Sequence, residues 1–475
     1  MGAVMVYQYY HIDYGKPDPG SRIEDVPTYA DILKADDVPL PPIVQEQGNH
    51  QPAPRLITYD RYYSKDIFDQ EIEKIWKKHW QVACREEDIP NVGDRISYDV
   101  VGMSFVVVRS GPSEFKAFHN SCRHRGRKLC DKKGSGGHLQ CAFHGWTYGL
   151  DGKLNWIPFE QEFPNVDRAQ YSLAEVPTAR WGGNVFINPD VNAEPFETFL
   201  GPLARHWVDC PQEDRYTALH VRKKVRCNWK SAQEAFNEAY HVVETHADGM
   251  PMFGSALTQI DCWEEENARV NRLITPGMVV DPYIADRVST HEGLRVFCSA
   301  YGFEAPPADR GQTGPDARRY AAEQIRRRLE QATGRDFSGR APAYFLDMAK
   351  YAVFPNFHPW WGEMLPWWYR FLPYENDPEA STMEIRVLQP IPADGKLPPP
   401  AEVVEIDFDE KGMDYPQLGP LGHLVDQDMA NMIAVQKGFK AAAAGKDFLT
   451  LAPRAEAQIA HFYEVYDKLM GFDRS

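Results

Sequence analysis

The chain has 475 residues, with hydrophobic residues at 43%, charged residues at 25% and aromatic residues at 12%. Such a length predicts two or three domains with real cores, and the aromatic content excludes disorder. The net charge of −16 repels phosphate backbones, so nucleic acid is not an expected general partner.

No apolar run reaches the roughly 18 residues that a membrane span needs. The start shows no basic stretch followed by an apolar core, so a secretory signal is not expected and a cytoplasmic location is. Eight cysteines in so long a chain do not form a disulfide scaffold; reduced thiols are expected.

Residues 1–56 hold eight prolines, at 17, 19, 27, 39, 41, 42, 52 and 54. That density favours extended backbone. An N-terminal arm is expected, draped over the protein or reaching a neighbouring subunit. A helix follows, capped by Ser64, with Phe68, Ile72, Ile75, Trp76 and His79 on one face.

From about 92 to 188 the pattern becomes short strands and glycine-rich turns. Residues 104–109 and 184–188 are the clearest strands. Helical patterns return at 228–247. A polar insertion at 305–342 carries a helix from about 316 to 331. Two strands are expected at 366–372 and 382–388. In the second, Met383, Ile385 and Val387 alternate with polar residues, the pattern of a half-buried antiparallel strand. Helices near 424–442 and 454–470 close an α+β C-terminal part.

Two groups of residues carry chemistry. Cys122 and His124 are separated by one residue; sixteen residues later Cys141 and His144 are separated by two. Glycines 126, 134, 136, 137 and 145 let loops fold tightly around a metal. Zinc sites prefer wider gaps in both pairs. Two mixed Cys–His pairs suit a two-iron cluster with one iron on two thiolates and the other on two imidazoles. Cys130 and His138 match neither loop. Arg123, Arg125, Arg127, Lys128, Lys132 and Lys133 make this region basic, a surface for an acidic electron donor or simply a solvated loop.

With His144, Gly145, Trp146, Tyr148, Asp151 and Gly152, this motif resembles a Rieske iron–sulfur domain. The run from Cys122 to Gly126 resembles the form found in ring-hydroxylating oxygenases.

The second group is Glu238, His241 and His246. Glu238 and His241 are i and i+3 on a helix. Five residues of regular helix turn about 500°, so the two His rings would diverge by roughly 140°. Both reach one metal only if the helix ends or bulges between them, and Ala247, Asp248 and Gly249 supply a stop. Two His and a carboxylate suit Fe(II) with open positions. Asp428 is the best downstream carboxylate, with Asp426 competing.

The resemblance to Rieske non-haem iron oxygenases, which spans roughly 58–470, implies the roles. His241, His246 and Asp428 take the iron ligands, and Asn431, Met432, Gln436 and Gly438 help place Asp428. Glu238 takes the acid that bridges to a Rieske His of the adjacent subunit; many members have Asp there. The resemblance also implies one [2Fe–2S] cluster and one mononuclear Fe(II) per chain, and a homotrimer in which the cluster of one copy meets the iron of the next. It implies an all-β Rieske domain, taken with the helix that precedes it as 57–188, and a helix-grip catalytic domain with an antiparallel sheet at 189–475.

No dinucleotide fingerprint or phosphate loop is present, so neither NAD nor flavin is expected in this chain. Electrons are expected from a separate reductase, with or without a ferredoxin; a small β subunit stays open. The expected activity is oxygenation of a hydrophobic aromatic compound, first cis-dihydroxylation, with monohydroxylation or oxidative demethylation as alternatives. A pure electron-transfer Rieske protein and a zinc-stabilised binding module are the rivals from other classes. Phe354, Phe357, Trp360, Trp361, Trp367, Trp368 and Tyr369 offer walls for an apolar cavity, or a sheet core.

Overall fold

A computed structural model describes residues 26–36, 38–246, 252–264, 269–282, 285 and 288–472. The first 25 residues of the proline-rich arm, and the expected helix stop at Ala247, Asp248 and Gly249, lie outside the described residues.

The described part of the arm lies on its own chain. Tyr29 donates a hydrogen bond to Asp347 at 2.8 Å, and the Gly48 N–H bonds Asp261. It is not uniformly extended: short helices form at Tyr29–Leu33 and Pro42–Gln45. Thr28 caps the first, and Pro42 opens the second, where a missing N–H costs nothing. Ser64 caps the next helix, Lys65–Glu71, which continues as a wider turn to Trp76 and buries Phe68, Ile75 and Trp76.

The β region contains three antiparallel sheets. Four strands pair as 95–100, 103–109, 115–119 and 175–176; three as 81–85, 184–187 and 178–181; three as 139–140, 147–148 and 154–156. Val106, Val108, Phe118, Trp146 and Tyr148 form a small core directly under the Cys–His loops.

The C-terminal part is built on an eight-stranded sheet. Its strand order is 259–262, 270–275, 348–353, 357–361, 367–374, 377–390, 215–225 and 403–406. All neighbours are antiparallel except the last pair, where 403–406 runs parallel to 215–225. The long helix Pro420–Ala441 and the helix Trp229–Glu234 lie against one face. The helix expected at 316–331 runs from Gly314 to Thr333 and buries Ala321 and Ile325.

One expectation fails in an informative way. In the strand Asp377–Pro390, Glu384 and Arg386 are as buried as Met383 and Ile385. The face read as solvated is the contact between the β region and the sheet. Arg386 pairs with Asp88 at 2.7 Å, and Arg370 bonds the Val82 and Ala83 carbonyls and Glu384. Ion pairing replaces hydration there, so a polar pattern does not mean an exposed face.

Candidate functional site

The two Cys–His loops are the same backbone structure made twice. In the first, the Cys122 N–H bonds the Arg127 carbonyl and the Gly126 N–H bonds the Cys122 carbonyl, both at 2.8 Å. In the second, the Cys141 N–H bonds the Trp146 carbonyl and the Gly145 N–H bonds the Cys141 carbonyl, both at 2.9 Å. Gly126 and Gly145 occupy equivalent positions with φ of +77° and +75°, a conformation side chains resist. The loops differ in where His is set, two residues after Cys in one and three in the other.

Folding places the pairs together. Cys122 and Cys141 are buried, and the His124 and His144 ring centroids are 4.6 Å apart. His124 stacks on Trp146 at 5.0 Å, and its Nδ1 is buried with no hydrogen-bond partner. Burial, with the neighbouring His144 and Arg125, lowers the His124 pKa and favours the neutral imidazole. Tyr148 lies 3.4 Å from the Cys122 sulfur. Two thiols, an unpartnered imidazole nitrogen and a second ring nearby fit a cluster. Cys130 is buried with its thiol on the Lys132 carbonyl, and His138 is exposed. All eight cysteines are free and buried. In the basic region, Arg127 pairs with Asp131 and Lys128 with Asp99.

The second site departs from a regular helix. The helix Trp229–Glu234 stops, residues 235–241 form irregular turns, and Val242–Thr245 makes one helical turn with His241 and His246 at its two ends. One break precedes His241, and the short turn ends at Thr245, between the two His as expected, with His246 at φ −114° and ψ 30° outside helical geometry. Glu238 is not on a helix face. Its carboxylate instead accepts from the His241 ring Nδ1 at 2.6 Å and the His241 backbone N–H at 3.0 Å.

Asp428 arrives from Pro420–Ala441. Its Oδ1 is 3.0 Å from His246 Nε2 and 3.6 Å from His241 Nε2, and is buried without a hydrogen-bond partner. Ligand atoms of His241, His246 and Asp428 all lie within 4.8 Å of one another. Asp426 points elsewhere, accepting from the Gly412 and Met413 N–H groups. Gln427 has no counterpart among the residues expected from sequence: its Oε1 accepts from His246 Nδ1 at 2.9 Å. Both His rings thus have Nδ1 engaged and Nε2 turned to Asp428. A cation accepting those Nε2 lone pairs and the bare carboxylate oxygen fits this donor set. Burial lowers the His241 pKa, but the hydrogen bond and charge of Glu238 outweigh it and raise the value.

A cavity of about 480 Å³ opens beside these ligands, lined by Glu238, His241, Asp428, Asn431, Met432 and Val435. None of the seven aromatic residues between 354 and 369 lines it. Phe357, Trp361 and Trp368 belong to the large core of the catalytic sheet, and Phe354 to the core beneath the Lys65–Glu71 helix. Trp367 and Tyr369 lie on the sheet face under the site.

The fold and the two donor sets define a class: an iron–sulfur domain joined to a mononuclear-iron catalytic domain. Residues 79–175 match the Rieske [2Fe-2S] domain model, and residues 209–471 match the model of the ring hydroxylating alpha subunit (catalytic domain). The chain belongs to the ring-hydroxylating alpha-subunit family. Its cofactors are accordingly a Rieske [2Fe–2S] cluster and a mononuclear non-haem iron.

Among curated relatives, the biphenyl dioxygenase subunit alpha of Paraburkholderia xenovorans (strain LB400) is 32% identical over 206 residues, 40% of this chain and 44% of the relative. The carnitine monooxygenase oxygenase subunit of Escherichia coli (strain K12) is 29% identical over 188 residues, 39% of this chain and 50% of the relative. The chain spans about half the length of the curated relatives it matches. A quaternary ammonium Rieske monooxygenase superposes with a TM-score of 0.60 at 18% identity, covering 88% of this chain and 96% of that one. Naphthalene 1,2-dioxygenase with indole bound gives 0.60 at 17% identity, covering 88% and 92%. Both structures share the fold.

Proposed function

We propose that the chain is a terminal oxygenase component that uses dioxygen and externally supplied electrons to hydroxylate a hydrophobic, aromatic substrate. The observation that carries this reading is the convergence of His241, His246 and Asp428 in a chain that also pairs Cys122 and His124 with Cys141 and His144. In this reading Cys122, His124, Cys141 and His144 hold the cluster, and His241, His246 and Asp428 hold the iron. When bound, the cluster supplies electrons one at a time and the iron activates dioxygen at positions the protein leaves open.

The chain's own residues set the geometry. Glu238 and Gln427 each take a ring Nδ1–H, fixing the tautomer and the aim of His241 and His246. Tyr369, buried in the sheet beneath, feels the Asp428 charge; burial and that charge raise its phenol pKa, keeping it protonated. Cis-dihydroxylation is the first outcome. Monooxygenation or oxidative demethylation is the alternative, since the matched relatives include a glycine betaine monooxygenase oxygenase subunit beside biphenyl dioxygenases.

Both ends of the electron path carry exposed aromatics. Phe143, 53% exposed, lies 3.7 Å from the His144 ring centroid, and Tyr240, 62% exposed, precedes His241. Apolar surface beside each site supports a head-to-tail homotrimer in which one copy's cluster meets the next copy's iron, with Glu238 between. The division into an arm at 1–56, a Rieske domain at 57–188 and a catalytic domain at 189–475 belongs to the same reading. So do a cytoplasmic location and a separate reductase, with or without a ferredoxin.

Anaerobic purification followed by iron and sulfide analysis tests the assignment. About three irons and two sulfides per chain are expected from the two cofactors. Two irons alone would favour an electron-transfer protein, and zinc without sulfide a binding module. Oxidised product from an aromatic panel, with reductase and dioxygen, tests the activity.

A further inference from the structure

A small cavity lies where the helix Trp229–Glu234 covers the catalytic sheet. Its volume is about 10 Å³, and Gln233, Asn271, Ala352, Phe354, His358 and Phe462 are among the residues that line it. That is room for one water molecule and no more. The sheet register explains the space. Asn271 pairs with Ala352, and the register of the next two strands, with Val353 opposite Phe357, sets Ala352 opposite His358. Side chains in such a row share one face of the sheet. Asn271 and His358 are thus two strands apart, roughly 10 Å by strand spacing, with only the Ala352 methyl between them. The charged neighbour, Arg269, is already paired with Glu194.

Three polar atoms of these lining residues are buried without a hydrogen-bond partner among the described residues: Gln233 Nε2, His358 Nδ1 and Asn271 Oδ1. Gln233, His358 and Asn271 are 0%, 1% and 3% exposed. The other end of each side chain is committed. His358 Nε2 lies 2.9 Å from Gln233 Oε1. Asn271 Nδ2 donates to the Gln458 carbonyl at 3.3 Å and to His461 Nδ1 at 2.9 Å, which fixes Oδ1 as the acceptor left over. Burial and the nearby Lys350 charge hold the His358 pKa well below its usual range, so the ring is neutral and has a single N–H. If that N–H is at Nε2 and donates to Gln233, the cavity meets a bare His358 Nδ1 and a Gln233 N–H. If the Gln233 amide is turned round, the cavity meets its oxygen and a His358 N–H instead. Either way Gln233, His358 and Asn271 together present one donor and two acceptors.

We infer that this cavity is a binding site for one internal water molecule, which bridges Gln233, His358 and Asn271. The water accepts from whichever of Gln233 and His358 is the donor, and gives its two hydrogens to the other and to Asn271. No ion has that complement. A cation, metal or ammonium, would face an N–H, and an anion would face Asn271 Oδ1. Buried polar groups left unpaired are costly, and one water satisfies all three. The bridge ties the helix Trp229–Glu234 to the strand Val270–Thr275 and, through Asn271, to the helix Ala457–Met470. The first of these helices ends at Glu234, where the irregular stretch that carries Glu238 and His241 begins. The water therefore anchors the helix end from which the second site departs. This inference goes beyond the oxygenase reading and does not rest on it.

The test is a crystal structure of the holoenzyme at a resolution that shows ordered water, with amide hydrogen exchange beside it. An ordered water within about 3.2 Å of the Gln233 amide, His358 Nδ1 and Asn271 Oδ1 is expected. Space without density there, an ion in its place, or a protein side chain turned in to bond the three atoms would overturn the site, and the wild type alone decides this. Ala352→Val tests the anchor. It removes no polar group, suits a strand and fills the space over the methyl. The water should be gone, and amide exchange across 229–234 should quicken roughly ten-fold, the loss of about one hydrogen bond. Ala352→Ser, whose hydroxyl can take over part of the water's bonding, should quicken it less. Wild-type exchange in a folded Ala352→Val protein that has lost the water would overturn the anchoring role.

Discussion

Glu238 binds His241 twice, taking the ring Nδ1–H on one carboxylate oxygen and the backbone N–H on the other. The ring bond commits the imidazole to one tautomer and turns Nε2 toward Asp428. The backbone bond holds the turn that carries the ring. Each carboxylate oxygen has a second lone pair, so Glu238 keeps room for a donor from another copy of the chain.

Glu238→Gln should keep about three irons per chain and lose turnover. An amide offers one acceptor oxygen where the carboxylate offers two, so one of the two bonds to His241 is lost. Removing a partner of this kind lowers activity on the order of 10–100-fold. Metal analysis beside steady-state rates checks this. A full metal content with an undiminished rate would count against the role of Glu238.

Asp428→Ala should remove one iron and leave the visible spectrum of the cluster intact. Asp426→Ala is the control. Its carboxylate bonds the Gly412 and Met413 N–H groups. Its loss should cost about 1–3 kcal/mol of stability, with iron content unchanged. The pair of variants separates the two acids that sequence alone left in competition.

Gln427→Leu strands the His246 Nδ1–H without its acceptor. Iron affinity should fall on the order of 10–100-fold, as for other partners of metal-bound His. Competition with a chelator measures it. An unchanged affinity would show that His246 needs no such partner.

Asp36 links the N-terminal arm to the catalytic domain, 3.6 Å from Arg318. Burial pushes its carboxyl up to about 6, against the pull of Arg318. A raised carboxyl pKa means that the folded state holds the proton more tightly than the unfolded state. This contribution to stability is therefore present at low pH and is lost as pH rises from about 4 to about 6. Asp36→Asn should gain thermal stability relative to wild type at pH 7.5 and show little gain at pH 4. Melting temperatures across that range decide it; a gain independent of pH would refute the origin assigned to it.

Sequence by itself determined the two Cys–His loops. Each is closed by hydrogen bonds within six residues and by a glycine at the left-handed position, so all its requirements sit in one short stretch. The cap at Ser64 and the helix around 316–331 were legible for the same reason. Tertiary structure alone decided what depends on contacts between distant residues. Asp428 and not Asp426 faces the two His, and Gln427 reaches His246 from 181 residues away. Glu384 and Arg386 look like a solvated face until the β region covers them. Lys350 is one polar residue in a strand until folding buries it against Asn237 and within reach of the Glu238 charge. Local hydrogen bonds and backbone conformations are written in neighbouring residues, whereas burial and charge pairing exist only once remote segments pack together.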